Sequence, residues 1–394
     1  MDLAEISRLE KHYRNALLND VIPFWEKYSL DRENGGYFTC LDRDGTVFDT
    51  DKFMWLQARQ IWTFSMLYNR QEKRSEWLEV AKIGVDFLKK YGRNEQGDWY
   101  FSLDKIGRPL VEAYNIFSDC FAILAFAEYF SITGDESAKE IVYKTHARIQ
   151  QRKDNPKGRF NKMITTTQRT LSLAFPMIVL GVTHEIAKSI LNPEFEKLID
   201  ENLELVMTKF MDQELKAVFE HIDPYGFHPD NMAGRLLNPG HALEAMWFVM
   251  EIARARDNRS LIAKAAEAML WTIERGWDEK FGGIFYFLDY KGYPPEKLEW
   301  DMKLWWVHLE ALYAFALAYY LTADSEFEAW YYKIHDYAWS HFPDPEYGEW
   351  YGYLNRRGEI THSLKGGKWK GCFHVPRALF LCAELFKEMQ HSSS

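Results

Sequence analysis

GGIFYFLDYKG (282–292), followed at 305–321 by WWVHLEALYAFALAYYL, sets the architecture of the whole chain. In the first stretch aromatic residues alternate up to an aspartate and a glycine follows three positions later, the signal of a β-hairpin turn. The second is apolar on nearly every face, which suits a helix enclosed by other helices. The combination recurs. GGYFTCLDRDG (35–45), GDWYFSLDKIG (97–107), FEHIDPYG (219–226) and GEWYGYLNRRG (348–358) repeat the turn, so that closing glycines stand at 45, 107, 226, 292 and 358. Steps of 62, 66 and 66 residues flank one gap of 119, which predicts a sixth unit near residue 160 whose hairpin is replaced by RKDNPKGRFNK (152–162).

Each hairpin leads into an apolar helical pattern, as at WLQARQIWTFSMLY (55–68), YNIFSDCFAILAFAEYF (114–130), HALEAMWFVMEIA (241–253) and HVPRALFLCAELF (374–386). Amphipathic segments such as SEWLEVAKIGVDFLKKYG (75–92) lie between them and suit an outer layer. Six outer–inner helix pairs closed into a ring predict an all-α fold: one (α/α)6 barrel over residues 1–391, hairpins gathered at one mouth, and a disordered tail at 392–394. Polar side chains in the first turns of the inner helices then face the axial cleft, beside the positive helix ends.

Composition narrows the function. The net charge of −10 offers no basic stripe for nucleic acid. The N-terminus is a charged amphipathic helix, not a signal peptide, and the most apolar run, LSLAFPMIVLGV (171–182), is too short to span a bilayer. The four cysteines form no CxxC pair or zinc-ligand spacing, so the chain reads as a soluble, cytoplasmic protein with reduced thiols. Aromatic residues make up 16% of it. They serve either as helix-packing bulk or as flat surfaces on which sugar rings stack.

A few polar residues interrupt the inner helices. Arg59 falls between Trp55 and Trp62, where a guanidinium needs a carboxylate or a ligand oxygen, so an ion pair and an oxyanion clamp are both open. In LLNPGHALEAMW, Asn238 reads as N-cap, Pro239 as N1, and His241 falls in the first turn, three residues before Glu244. The helix end is expected to hold His241 neutral and able to accept a proton. Trp305 and Trp306 offer stacking surfaces, and His308 is a further candidate. Glu310 intrudes among leucines, where ionisation needs a partner, and Arg59 is one such partner. In KGGKWKGCFHVPRALF (365–380), Pro376 makes His374 an N-cap or the residue before it. His241 and His374 thus occupy equivalent places in units four and six.

Two histidines with two glutamates also fit a metal, but no HExxH or tight ligand pair is present, and no metal is expected. No GxSxG elbow supports a serine nucleophile. Glu244 and Glu310 keep a glycosidase open, although that chemistry leaves the histidine pair unused.

WLQARQIWTF, NPGHALEAMWF, KLWWVHLEAL and GGKWKGCFHVPRA together resemble the N-acylglucosamine 2-epimerase family over nearly the whole chain. The resemblance implies an (α/α)6 barrel, a homodimer, and reversible C2 epimerisation of N-acetyl-D-glucosamine and N-acetyl-D-mannosamine, in sialic-acid synthesis or amino-sugar breakdown. It carries catalytic roles onto Arg59, His241, Glu310 and His374. It implies ATP as an activator that is not consumed, held at the 152–162 loop; Arg152, Lys153, Asn155, Lys157, Gly158, Arg159 and Lys162 are the expected contacts. Trp55, Glu244, Trp305, Trp306, His308 and Lys370 are the expected sugar contacts. Alternatives are a cellobiose 2-epimerase or aldose–ketose isomerase of the same family, and a non-catalytic saccharide- or partner-binding barrel.

Epimerisation explains a pair of histidines. The proton on C2 of an open-chain aldose is acidic only beside a polarised carbonyl, and inversion removes it from one face and returns it on the other. Two bases with pKa values near about 6.5 suit that exchange. Arg59 is expected to stabilise the enediolate-like oxyanion, and Glu310 to fix a sugar hydroxyl or orient a histidine.

Overall fold

A computed structural model of the chain describes residues 1–164, 167 and 170–392. The expected five turns are present. The N–H of each of Gly45, Gly107, Gly226, Gly292 and Gly358 donates to the carbonyl of the Asp or Asn three residues earlier, at 2.9–3.1 Å. All five glycines have φ between +80° and +93°, a region that residues with a Cβ enter only under strain. Gly45 is doubly constrained, because a Cβ there would lie 2.2 Å from the Tyr28 ring, whereas at Gly97, with φ +85°, it would meet nothing within 4 Å. Gly45→Ala is therefore expected to cost more than the on-the-order-of 1–3 kcal/mol of backbone strain alone, and Gly97→Ala to stay within it. Parallel denaturant titrations measure the difference.

The helices are α1 (Leu3–Ala16), α2 (Ile22–Tyr28), α3 (Met54–Met66), α4 (Ser75–Tyr91), α5 (Phe117–Thr133), α6 (Glu136–Arg152), α7 (Ala174–Ala187), α8 (Pro193–Leu205), α9 (Pro239–Ala255), α10 (Arg259–Gly276), α11 (Trp305–Thr322), α12 (Ser325–His341) and α13 (His374–Ser392). The architecture is all-α. The apolar helices α3, α5, α7, α9, α11 and α13 pack on one another in chain order, and α4, α6, α8, α10 and α12 each cover the inner helix next to them in sequence. The N-terminal α1 covers α13, joining the two ends of the chain. The segment entering α13 returns to α3: Thr63 Oγ1 donates to the Cys372 carbonyl at 2.8 Å, and the Trp62 and Phe373 rings meet edge to face. Every residue of α11 from Trp305 to Ala318 is buried, so its apolar face has no solvent side.

The hairpins differ from the expected form. Two-stranded arms, each with a register shift, occur at 40–49 and 102–111, a further short hairpin joins 211–212 to 217–218, and the strands before four inner helices pair with the turn of the next unit. Lys52–Phe53 pairs with Ser102–Leu103, Leu171–Ser172 with His221–Ile222, Leu236–Leu237 with Leu288–Asp289, and Lys303–Leu304 with Tyr353–Leu354. Lys365 and Gly366 N–H both donate to the Leu41 carbonyl, linking unit six to unit one. Among the described residues the link from unit two to unit three shows no such pairing, and there the 152–162 segment stands in place of a hairpin. These pairings tie the inner-helix entrances together, and the strand-to-helix junctions carry the polar residues of the site.

At the C-terminus α13 runs on through Ser392, whose Oγ donates to the Glu388 carbonyl; residues 393 and 394, the rest of the expected tail, lie outside the described residues.

Candidate active site

The entrances of the inner helices enclose a cavity of about 510 Å³ lined by Trp55 and Arg59 of α3, His241 and Glu244 of α9, Trp305 and Trp306 of α11, and His374 of α13. Phe117 and Phe121 of α5 with Met177 and Ile178 of α7 form its apolar side, while Tyr286, Glu299, Tyr353 and Trp369 come from the connecting segments.

Asn238 caps α9 as expected, its side chain accepting from His241 N–H at 3.2 Å, with Pro239 at the first helical position. Gly240 is required there because a Cβ would lie 2.6 Å from the Trp306 ring. That close approach sets Trp306 5.4 Å from the His241 ring and 5.9 Å from the His374 ring, between the two histidines.

Each histidine has a carboxylate on its Nδ1. His241 Nδ1 lies 2.9 Å from Glu220 Oε2, and His374 Nδ1 lies 2.7 Å from Glu310 Oε1. An ionised carboxylate only accepts, so Nδ1 carries the proton in both rings and Nε2 is the nitrogen left for chemistry. The two environments then diverge. Burial works against protonation of His241, but the Glu220 carboxylate outweighs it and raises the pKa. The shift runs opposite to the one expected of the helix end, because the paired carboxylate outweighs it. His374 is pushed well below the usual histidine range by burial and then by the Arg59 and Arg377 guanidinium groups.

Glu310 does not pair with Arg59. It accepts from His374, from Arg377 Nη2 at 2.6 Å and from Trp247 Nε1 at 2.9 Å. Arg377 Nη2 also donates to Glu244 Oε1 at 2.6 Å. Ligand atoms of Glu244, Glu310 and His374 lie within 4.8 Å of one another, but the guanidinium on both carboxylates supplies the positive charge there, so the group is an ion-pair cluster. Among the described residues Arg59 has no carboxylate within ion-pair distance. Its guanidinium rests on the faces of Phe121 at 3.9 Å, Trp55 at 4.6 Å and Phe373 at 4.7 Å, and its buried Nε makes no hydrogen bond. Burial lowers its pKa to about 9, which leaves it cationic at neutral pH. Trp55 Nε1 and Trp305 Nε1 are likewise buried and unpaired. The cavity therefore presents a fixed cation and unpaired donors to an oxygen-rich ligand.

Two expected sugar contacts lie elsewhere. His308 accepts from Ile284 N–H through Nε2 and donates through Nδ1 to the Leu304 carbonyl, and burial drives its pKa down to about 3. Lys370 is buried against Glu349 at 2.8 Å and the Lys365 carbonyl at 2.7 Å, bracing the loop before α13. Of the expected nucleotide contacts, Arg152, Lys157, Gly158 and Arg159 line a separate cavity of about 730 Å³ with Asp98, Glu112 and Arg148. Its arginines are already paired: Arg148 with Asp98, Arg152 with Asp119, and Arg159 with Glu112. Asn155 instead braces the loop through the Gly158 carbonyl, and Lys153 and Lys162 stand outside that lining.

Arg377 and Glu220 escaped the sequence reading. Arg377 is one turn beyond His374 and so shares its helix face, a signal present in HVPR. Glu220 sits in the bend between strands Ala217–Val218 and His221–Ile222, and nothing local connects it with His241, 21 residues on.

Residues 36–378 match the N-acylglucosamine 2-epimerase (GlcNAc 2-epimerase) family. The chain belongs to this family. N-acylglucosamine 2-epimerase of Bos taurus is 37% identical over 384 residues, spanning 94% of this chain and 90% of its own length. The Homo sapiens enzyme is 35% identical over 381 residues, spanning 93% and 88%. Among solved structures, cellobiose 2-epimerase from Spirochaeta thermophila superposes with a TM-score of 0.84 over 98% of each chain at 18% identity, so fold extends across this epimerase group beyond sequence.

Proposed function

We propose that the protein interconverts N-acetyl-D-glucosamine and N-acetyl-D-mannosamine by exchanging the C2 proton between His241 and His374 within a closed (α/α)6 barrel. The observation that carries this reading is the pair of carboxylate-anchored imidazoles facing one cavity beside an unpaired, cationic Arg59. Once the sugar ring opens, the C1 carbonyl oxygen needs a positive partner as C2 loses its proton, and Arg59 supplies it. Glu310 acts through His374, holding Nδ1 so that Nε2 faces C2. Such acid–base assistance contributes roughly 10²–10⁴-fold. Trp306 stacks between the two histidines, and Trp55 and Trp305 donate to sugar oxygens.

An activating ATP is assigned to the cavity at Arg152, Lys157, Gly158 and Arg159, where its phosphates exchange places with the carboxylates that now hold the arginines. The homodimer and cytoplasmic setting follow the family resemblance; no helix of the described residues is long and apolar enough to cross a membrane. The test is incubation with N-acetylmannosamine, with and without ATP, and chromatography of the product. N-acetylglucosamine is expected, formed faster with ATP. A ketose product, or preferential turnover of cellobiose, overturns the reading.

A further inference from the structure

Inversion by two histidines needs unequal partners at the outset: one must arrive empty to take the proton and the other loaded to return one. The structure is built asymmetrically in this respect. Glu310, the carboxylate on His374, is shared with Arg377, so part of its charge is already offset. Among the described residues, Glu220, the carboxylate on His241, hydrogen-bonds to no Arg or Lys; its second oxygen accepts from Ser172 Oγ at 3.2 Å, and His221 is the other basic group beside it. Its backbone is fixed at both ends, the N–H donating to the Leu236 carbonyl and its own carbonyl accepting from Leu173 N–H. Glu220 is thereby pinned between the entrances of α7 and α9.

We propose that Glu220 is a positioning residue that keeps His241 loaded with a proton in the resting protein, while His374 stands neutral. The charged and titratable groups around both rings agree. Glu220 from the bend between Val218 and His221 and Glu244 from α9 favour charge on His241. Around Glu220 itself stand His241, the adjacent His221 and Ser172, with Tyr286 nearby. Around His374, Arg59 from α3 and Arg377 from α13 disfavour charge, as does a charged His241, against Glu244 from α9 and Glu310 from α11, both of which Arg377 holds.

From the resting state His374 Nε2 takes the C2 proton, and the C–H electron pair becomes the C1–C2 double bond of the enolate. The C2 carbon then takes the proton of His241 Nε2–H on its other face, the double bond returns to the C1 carbonyl, and His241 is left neutral. Transfer of the proton from His374 back to His241 through solvent restores the start. The direction that places the C2 hydrogen on the His374 side begins without that preparatory transfer.

The inference rests on the epimerase reading, but one of its tests does not. Nitrogen-15 spectra of the full chain labelled at histidine, assigned with His241→Asn, are expected to show His241 doubly protonated at pH 7 and His374 singly protonated. The reverse pattern overturns the proposal whether or not the sugar turns over. In Glu220→Gln the shape and the Ser172 contact remain but the charge goes. Its kcat at pH 8 is expected to fall by up to about tenfold, as loss of the ion pair moves the alkaline limb of the profile down by about one pH unit, with KM little changed and Glu220→Asp recovering part of the loss. An unmoved alkaline limb, or a uniform loss at every pH, reduces Glu220 to scaffold and contradicts the assignment.

Discussion

Replacing Arg377 by methionine is expected to destabilise the protein by about 3–5 kcal/mol, the usual cost of removing one partner from a buried ion pair. Methionine keeps most of the volume but leaves Glu244 and Glu310, both buried, facing each other with no guanidinium between them. Denaturant titrations at pH 7 read the loss. A change below about 1 kcal/mol at pH 7, the range of an exposed pair, would show that the cluster is not held by Arg377.

His374→Asn has the opposite profile. Asparagine still donates toward Glu310, so stability is expected to hold, while turnover falls roughly 10²–10⁴-fold for want of the proton acceptor. KM is expected to change little, since Arg59, Trp55, Trp305 and Trp306 remain in place. Retained turnover would remove His374 from the exchange, and joint loss of turnover and stability would make it a packing residue.

The contrast between these two residues shows what was legible in the sequence. His374 was readable because a proline two residues on fixes a helix start, and because His241 stands at the matching place two units earlier. The five glycines likewise declared their turns, since the three-residue spacing to Asp or Asn is a local constraint that the backbone obeys regardless of packing. Three-dimensional partners were less accessible. Glu310 announced that it needed a cation, but only the fold chooses between Arg59 and Arg377, and it chooses the residue on the adjacent helix that also reaches Glu244. His308 could have been set aside from the sequence, because it is two residues from Glu310 and so points to the opposite side of α11. There it meets Ile284, the Leu304 carbonyl and the Tyr337 ring of α12. Lys370, in an irregular loop, carried no periodicity that would reveal which way it faces. The links between successive units, strand to next turn, were also hidden, because each involves only two residues a side.

Isotope exchange reads directly whether C2 passes its proton to one histidine and takes another back. With N-acetylmannosamine and the wild-type protein in D2O, N-acetylglucosamine is expected to carry one deuterium at C2 and none at other carbons. Product that forms without deuterium at C2, under conditions where both histidines exchange freely with solvent, would contradict proton transfer at that carbon and with it the roles of His241 and His374.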